Sequence, residues 1–222
     1  MPFLAAPPTE IAVSKKVTGQ KRKLGSCIPA SEAMSNLQKR PSSQRLSPAD
    51  YVTQVFKENG FDLNENPSVL SVPFLKPTED RIAAYKLETV QVARSENIEQ
   101  LRNLHKAGVA LDCCNRFGES LVSMVCRRGN ADVVRFLVKE ANVSLLLRDD
   151  YGRTVLHDAF WTSEPKLELV DFLLQEVPDL LCVKDVRGHA PLDYVRAEHW
   201  DEWTSFLKER RGMIRPKLSI RC

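Results

Sequence analysis

The stretch YGRTVLHDA, residues 151–159, decides the fold because its surroundings recur elsewhere in the chain. Three eleven-residue segments, GVALDCCNRFG, NVSLLLRDDYG and PDLLCVKDVRG, end at Gly118, Gly152 and Gly188. In each segment an Asn or Asp lies three positions before the final glycine, and a Leu lies seven positions before it. The final glycines are 34 and then 36 residues apart. A period of this length indicates a stack of repeated structural units.

The residues around each glycine favour a tight turn followed by helices. Glycine adopts a positive φ without steric strain, and Asn142 is the common substitute for glycine just after a helix. Ser120 and Thr154, each two positions after a glycine, can cap the helix that follows. A unit of one turn and two antiparallel helices cannot bury its apolar face alone, so the units must stack.

These units resemble the ankyrin repeat, whose pattern reads D-x-x-G-x-T-P-L-H-x-A-A and continues G-x-x-x-I-V-x-x-L-L. The middle unit departs least from it and matches at Asp149, Gly152, Thr154, Leu156, His157 and Ala159. Val155 replaces the usual proline there, and Asp193 replaces the usual histidine one unit later. The resemblance implies an all-α ankyrin-repeat α-solenoid, in which His157 bonds to the backbone of a neighbouring turn.

The resemblance divides the chain into a repeat domain with a segment on either side. About four units are expected, at residues 78–112, 113–147, 148–183 and 184–211, with the first a degenerate cap. Residues 78–211 thus form the predicted ankyrin-repeat domain, and residues 212–222 a C-terminal tail. Residues 47–77 are expected to form a short helix and a linker, with Ser47 as the helix cap and Asn59-Gly60 as its stop.

Residues 1–46 are rich in Pro, Ser, Lys and Gln and lack periodic apolar residues, so we expect a disordered basic tail. The chain has a net charge of +3, and its positive excess lies near the N-terminus. Five cations cluster there: Lys15, Lys16, Lys21, Arg22 and Lys23. Such a cluster is typical of a nuclear-import signal or a nucleic-acid contact. A nuclear regulatory protein is therefore the alternative function.

Several other classes of protein lack support in the sequence. The six cysteines show neither a disulfide framework nor metal-ligand spacing, and no apolar run reaches the roughly 18 residues of a membrane span. Phosphate-binding and nucleophile motifs such as G-x-x-x-x-G-K-[ST] and G-x-S-x-G do not occur. We expect a monomeric, non-enzymatic protein of the cytoplasm or nucleus, without metal or cofactor.

In proteins of the resembled family the partner usually contacts the turn tips and the inner helices. Carried over, the tip positions are Arg116, Phe117, Glu119, Asp150, Tyr151, Arg153, Val186, Arg187 and His189. The inner-helix positions are Arg127, Arg128, Asp158, Trp161 and Thr162. Aromatic and Arg side chains are favoured at binding hot spots. The prediction is an adaptor or scaffold that binds an unidentified protein. The alternative is that these aromatics pack on adjacent turns and the arginines are only solvated.

The second period is two residues longer than the first, and the extra residues fall in WTSEPK, residues 161–166. This segment is expected to lengthen the loop between the two helices of its unit. A longer loop there either serves binding, since function concentrates in loops, or reflects drift in loop length.

Overall fold

The computed structural model describes residues 45–60 and 74–214, and helices account for most of them. These residues contain α1 (Pro48–Glu58), α2 (Glu79–Ala84), α3 (Leu87–Arg94), α4 (Ile98–Lys106), α5 (Leu121–Arg128), α6 (Ala131–Lys139), α7 (Val155–Phe160), α8 (Leu167–Glu176) and α9 (Trp200–Glu209). Short 3-10 helices lie at Pro178–Cys182, Pro191–Tyr194, Ala197–His199 and Arg211–Met213. Within the two described ranges no β-strand forms, and there are only two isolated β-bridges. The all-α prediction is confirmed.

Each repeated glycine lies in a tight turn that a carboxylate or amide side chain holds closed. We call residues 115–119, 149–153 and 185–189 the three tips. In the middle tip, Asp149 Oδ1 accepts hydrogen bonds from the backbone N–H groups of Tyr151 (3.0 Å) and Arg153 (2.8 Å). Asn115 and Asp185 accept the equivalent pair of bonds in the other two tips. This role explains why Asn or Asp lies three positions before each glycine.

Successive tips are bonded to each other, which leaves little room at Gly118 and Gly152. The N–H of Asp150 donates to the carbonyl of Phe117 (2.9 Å), and an equivalent bond of 2.9 Å joins the next two tips. Gly118 has a φ of 77°, and a Cβ built there would lie 2.6 Å from the carbonyl oxygen of Arg148. A side chain at this position would strain the backbone and also push the next tip away.

The helices form two layers that follow the repeats. In one layer α5 packs on α7, and α7 packs on the 3-10 helix Pro191–Tyr194; in the other, α4, α6 and α8 pack in order. Side-chain caps begin the helices of the second unit: Ser120 accepts a backbone bond of 3.0 Å at α5, and Asn130 one of 2.8 Å at α6. The stacked layers share one continuous apolar core.

The last repeat departs from the expected helix pair. Its first helix is the 3-10 helix Pro191–Tyr194, and a second 3-10 helix, Ala197–His199, precedes α9. The interruption has a local cause, because Val195 takes an extended backbone conformation and buries its side chain. A similar break occurs at the start of the chain's repeats, where α2 ends at Ala84 and α3 begins afresh at Leu87.

Helix α1 covers the end of the stack that the last repeat forms. It packs against α9 and the 3-10 helix Pro191–Tyr194. Ser47 caps it as predicted and accepts a backbone hydrogen bond of 3.0 Å. Val55 and Phe56 are 0% and 1% exposed, and Glu58 is paired with Arg211. The sequence assigned this helix to a segment outside the repeats, but its apolar face is part of the core.

Residues near two other predicted boundaries also belong to the folded unit. Ile214, which the sequence assigned to a C-terminal tail, is fully buried. At the end of the predicted linker, the N–H of Leu75 donates to the carbonyl of Leu146 (2.8 Å). Phe74 lies beside it, with its ring centre 3.9 Å from the guanidinium carbon of Arg148. Residues 1–44 of the predicted basic tail lie outside the described residues.

Candidate functional site

An open cleft of about 430 Å³ lies where the middle and last tips meet the ends of α7 and the 3-10 helix Pro191–Tyr194. We call it the aromatic cleft, and it is lined by Tyr151, Arg153, Trp161, Asp185, Arg187 and Tyr194. Four of these residues were predicted to contact a partner, whereas Asp185 and Tyr194 were not. The structure therefore brings two predicted positions of the middle tip and one of the last tip together with Trp161, the residue directly after α7.

Arg153 is the fixed centre of the aromatic cleft. Its Nε donates to Asp149 Oδ2 at 2.7 Å, and a second guanidinium nitrogen lies 2.6 Å from the same oxygen. The guanidinium carbon is 5.1 Å from the ring centre of Tyr151 and 5.4 Å from that of Trp161. These distances suit cation–π attraction. The ion pair and the two rings together hold the arginine and both aromatic side chains in one arrangement.

The loop that carries Trp161 is longer than its counterpart in the preceding unit. Residues 161–166 connect α7 to α8, whereas two residues, 129–130, connect α5 to α6. Thr162 turns inward and donates to the carbonyl of Glu164 (2.7 Å), so this predicted contact is buried. Trp161 stays 47% exposed at the edge of the aromatic cleft. Within this loop the side chain of Thr162 is therefore buried, whereas that of its neighbour Trp161 is exposed.

Tyr194 and Asp185 form the floor of the aromatic cleft. The Tyr194 hydroxyl donates to Asp185 Oδ2 at 2.6 Å, and its ring centre is 5.6 Å from that of Trp161. Burial and the hydrogen bond to Asp185 raise the pKa of Tyr194 to about 12. Burial opposes ionisation of Asp185, but bonds from Tyr194 and two backbone N–H groups outweigh it and lower the pKa of that carboxyl. Asp185 is therefore an anion whose two oxygens are bonded to its own tip and to Tyr194.

His157 lies behind the aromatic cleft and connects two repeats. Its Nδ1 accepts a hydrogen bond from the N–H of Thr154 (3.0 Å), which places the ring proton on Nε2. Nε2 lies 3.2 Å from the carbonyl oxygen of His189 and can donate to it. Burial lowers the pKa of His157, against an opposing effect of the His189 carbonyl. The ring is fully enclosed, so these bonds give the histidine a structural role.

Asp158 is a further predicted contact that the structure places in the interior. Only 4% of its side chain is exposed, and Oδ1 accepts a bond of 3.0 Å from Arg127 Nε. Arg127 also pairs with Glu119 at 2.8 Å. Burial raises the pKa of Asp158 to about 6, although Arg127 opposes the shift. Asp158 does not belong to the exposed surface, because its carboxylate is used to position Arg127 and, through it, the tip residue Glu119.

The remaining predicted contacts are exposed but lie outside the lining of the aromatic cleft: Arg116, Phe117, Arg128, Asp150, Val186 and His189. Arg116 stacks on the neighbouring Phe117, with its guanidinium carbon 4.6 Å from the ring centre. His189 Nδ1 lies 3.9 Å from Asp185 Oδ2. The predicted surface therefore includes exposed residues of all three tips outside the aromatic cleft.

The described thiols are unsuited to redox or nucleophilic chemistry. Cys113, Cys114, Cys126 and Cys182 are all buried and free. Burial raises the pKa of each thiol, to about 12 for Cys113 and Cys182, so the reactive thiolate is disfavoured. Within residues 45–60 and 74–214, no cluster of three or more His, Cys, Asp or Glu side chains is arranged to hold a metal ion.

Two sequence predictions concern parts or properties outside this site. The cationic cluster at Lys15, Lys16, Lys21, Arg22 and Lys23 lies outside the described residues. None of the helices in the described part of the chain has the length and apolar character needed to cross a membrane.

Comparison with known proteins agrees with the tips and the paired helices. Residues 90–185 match a family model described as ankyrin repeats, in three copies. This range contains the first two tips, helices α5 to α8 and the buried His157. No curated protein matches the chain significantly. Residues 90–185 are therefore ankyrin repeats, a fold that generally serves as a protein–protein interaction module.

Proposed function

We propose that this protein is a non-catalytic adaptor or scaffold that binds a partner protein at the aromatic cleft and the adjoining tips. One observation carries the proposal: Tyr151 and Trp161 remain 55% and 47% exposed while Arg153 lies between their rings. The repeat framework does not require apolar side chains at these two positions. Large aromatic groups exposed in one cleft, with Arg beside them, are typical of binding hot spots.

The arrangement is also preorganised for binding. Arg153 is fixed by Asp149, Tyr194 is fixed by Asp185, and the tips that carry them are bonded to each other. A partner that enters the aromatic cleft meets side chains that already occupy one arrangement. Less conformational entropy is then lost on association, which favours affinity. No reaction is involved in this proposal, because the one histidine at the centre of the repeats, His157, is occupied by structural bonds.

The proposal is tested by affinity capture from the native extract with the full chain as bait. A Tyr151→Ala, Trp161→Ala double variant is expected to lose most of the captured partner, because truncation of a hot-spot side chain costs about 2 kcal/mol or more. Leu87→Ala is the matched control, since Leu87 is 70% exposed and lies in α3, away from the aromatic cleft. Circular dichroism and thermal unfolding must show that both variants are folded. Equal capture by both variants contradicts the proposed site.

The finer parts of the proposal are a monomeric state and a cytoplasmic or nuclear location. The alternative function is that of a nuclear regulatory protein, and it is based on the cations of residues 15–23, which suit nucleic acid or an import receptor. Deletion of residues 1–44 tests it directly. Nucleic-acid binding that weakens steeply with salt and disappears on this deletion supports the alternative, whereas no binding at low salt contradicts it.

A further inference from the structure

We propose that the occupant of the aromatic cleft is an acidic linear segment, with an aspartate or glutamate side chain on Arg187 and a neighbouring apolar side chain packed against the exposed parts of Tyr151 and Trp161. This inference rests on the proposed function and names the chemistry of the partner at the same site. The inference depends on which charged side chains around the aromatic cleft already have an ion-pair partner and which have none among the described residues.

The first arginine of the aromatic cleft is already neutralised. Arg153 makes two contacts with Asp149 Oδ2, at 2.6 and 2.7 Å, and its side chain is largely enclosed. Its guanidinium carbon lies within 5.4 Å of both Tyr151 and Trp161. An incoming cation would therefore meet aromatic faces that an arginine of this chain already occupies. The electrostatics of the site disfavour a basic or methylated-lysine ligand.

The second arginine of the aromatic cleft is open. Arg187 is exposed, and no carboxylate among the described residues forms an ion pair with it. Asp185, the carboxylate among the residues that line the aromatic cleft, directs Oδ1 to the N–H groups of its own tip and Oδ2 to the Tyr194 hydroxyl. Arg187 instead lies 6.0 Å from the ring centre of Tyr151. Its planar set of donors is free to bind a carboxylate in a bidentate manner.

The charged side chains next to the aromatic cleft also favour a negatively charged ligand. Arg116 and Arg128 are exposed predicted contacts, and neither has an ion-pair partner within the described residues. Asp150 is the one exposed carboxylate among the predicted contacts that also has no such pair. Glu119 is engaged by Arg127. Among the predicted contacts, more exposed cations than exposed anions lack an ion-pair partner within the described residues. This surplus attracts an acidic segment toward Arg187.

Selection from a random library of short linear peptides tests the inference. The wild-type protein is expected to enrich peptides that carry Asp or Glu beside an aromatic or aliphatic residue. Arg187→Glu is expected to shift the enrichment toward Lys and Arg. For the best wild-type peptide, Arg187→Gln should raise Kd about tenfold, the range of a lost charge-assisted hydrogen bond. Replacing the acidic residue of that peptide by Gln should raise Kd to a similar extent.

Lys208→Gln is the matched control, because Lys208 is an exposed cation of α9 outside the aromatic cleft, and it should leave Kd unchanged. Enrichment without acidic residues, no enrichment at all, or equal effects of Arg187→Gln and Lys208→Gln would overturn the inference. The capture experiment with Tyr151→Ala and Trp161→Ala is independent of peptide charge. A failed selection with a successful capture therefore rejects the acidic segment and leaves the proposed function in place.

Discussion

The Nε2 atom of His157 lies 3.2 Å from the carbonyl oxygen of His189, 32 residues further along the chain. Through this contact the first helix of one repeat supports the tip of the next. The same ring accepts a hydrogen bond from the N–H of Thr154, at the start of α7. One side chain thus joins two units, and the aromatic cleft lies across that junction.

Removal of the imidazole is expected to destabilise the stack. His157→Ala leaves the N–H of Thr154 without its partner in a fully buried site, and it removes one of the two donors to the carbonyl of His189, which keeps the N–H of Asp185. The free energy of unfolding should fall by about 2–4 kcal/mol, measured by urea denaturation. His105→Ala, at an exposed position of α4, is the control. Equal stability of the two variants would show that the contact between repeats has no structural importance.

Stability is expected to depend on pH through His157. Burial lowers its pKa below 6.5, so its contribution is complete above pH 6.5 and is lost as the pH falls through the folded-state pKa. Asp158 acts in the opposite sense, because its pKa is raised to about 6 and its stabilising protonated form is lost as the pH rises through that value.

The two pH effects are separated by comparing the wild type with His157→Gln. Asp158 is present in both proteins, so its contribution cancels in the difference between their free energies of unfolding. That difference should shrink below pH 6.5 by up to about 1.4 kcal/mol per pH unit. A difference that stays constant between about pH 7.5 and pH 5 would contradict a buried neutral imidazole.

Two tip glycines should respond differently to alanine. Gly118 and Gly188 have φ angles of 77° and 86°, so each substitution forces an L-residue into left-handed backbone. A Cβ at Gly188 meets no atom within 4 Å, whereas one at Gly118 lies 2.6 Å from the carbonyl oxygen of Arg148. Gly188→Ala should cost about 1 kcal/mol, and Gly118→Ala about 1–3 kcal/mol more. Equal thermal shifts of the two variants would refute the close approach between tips.

Helix α1 is expected to contribute to the stability of the whole stack. Phe56 is 1% exposed in the core that α1 shares with α9. Phe56→Ala should lower the free energy of unfolding by about 3–5 kcal/mol. Lys57→Ala, at the exposed neighbouring position, should have little effect. If both variants unfold at the same urea concentration, α1 does not pack on the last repeat in solution.

The tips were predictable from sequence because their requirements are local. The side chain of Asp149 closes a turn of five residues, and Gly152 supplies its positive φ, so their spacing is visible in every unit. The predicted positions Tyr151, Arg153, Trp161 and Arg187 do meet in one cleft. Register alone places them on the same side of neighbouring repeats.

The missed features depend on contacts between distant parts of the chain. Tyr194 enters the aromatic cleft because the last repeat has a short 3-10 helix and because Asp185 accepts a hydrogen bond from its hydroxyl. Asp158 is buried by Arg127, which is 31 residues away. No local pattern distinguishes these residues from solvated ones. An Arg that follows one tip glycine by nine residues and an Asp that follows the next tip glycine by six are the signal that could have suggested the buried pair.

Site-specific photo-crosslinking tests the central claim most directly. A photoreactive amino acid replaces Tyr151 at the aromatic cleft or, as the control, Leu87, which is also exposed but lies in α3. Both proteins are irradiated in native extract, and the crosslinked proteins are identified by mass spectrometry. A partner crosslinked from position 151 and not from position 87 is the expected result. Crosslinking of the same partner from position 87 alone, or equally from both positions, would contradict binding at the aromatic cleft.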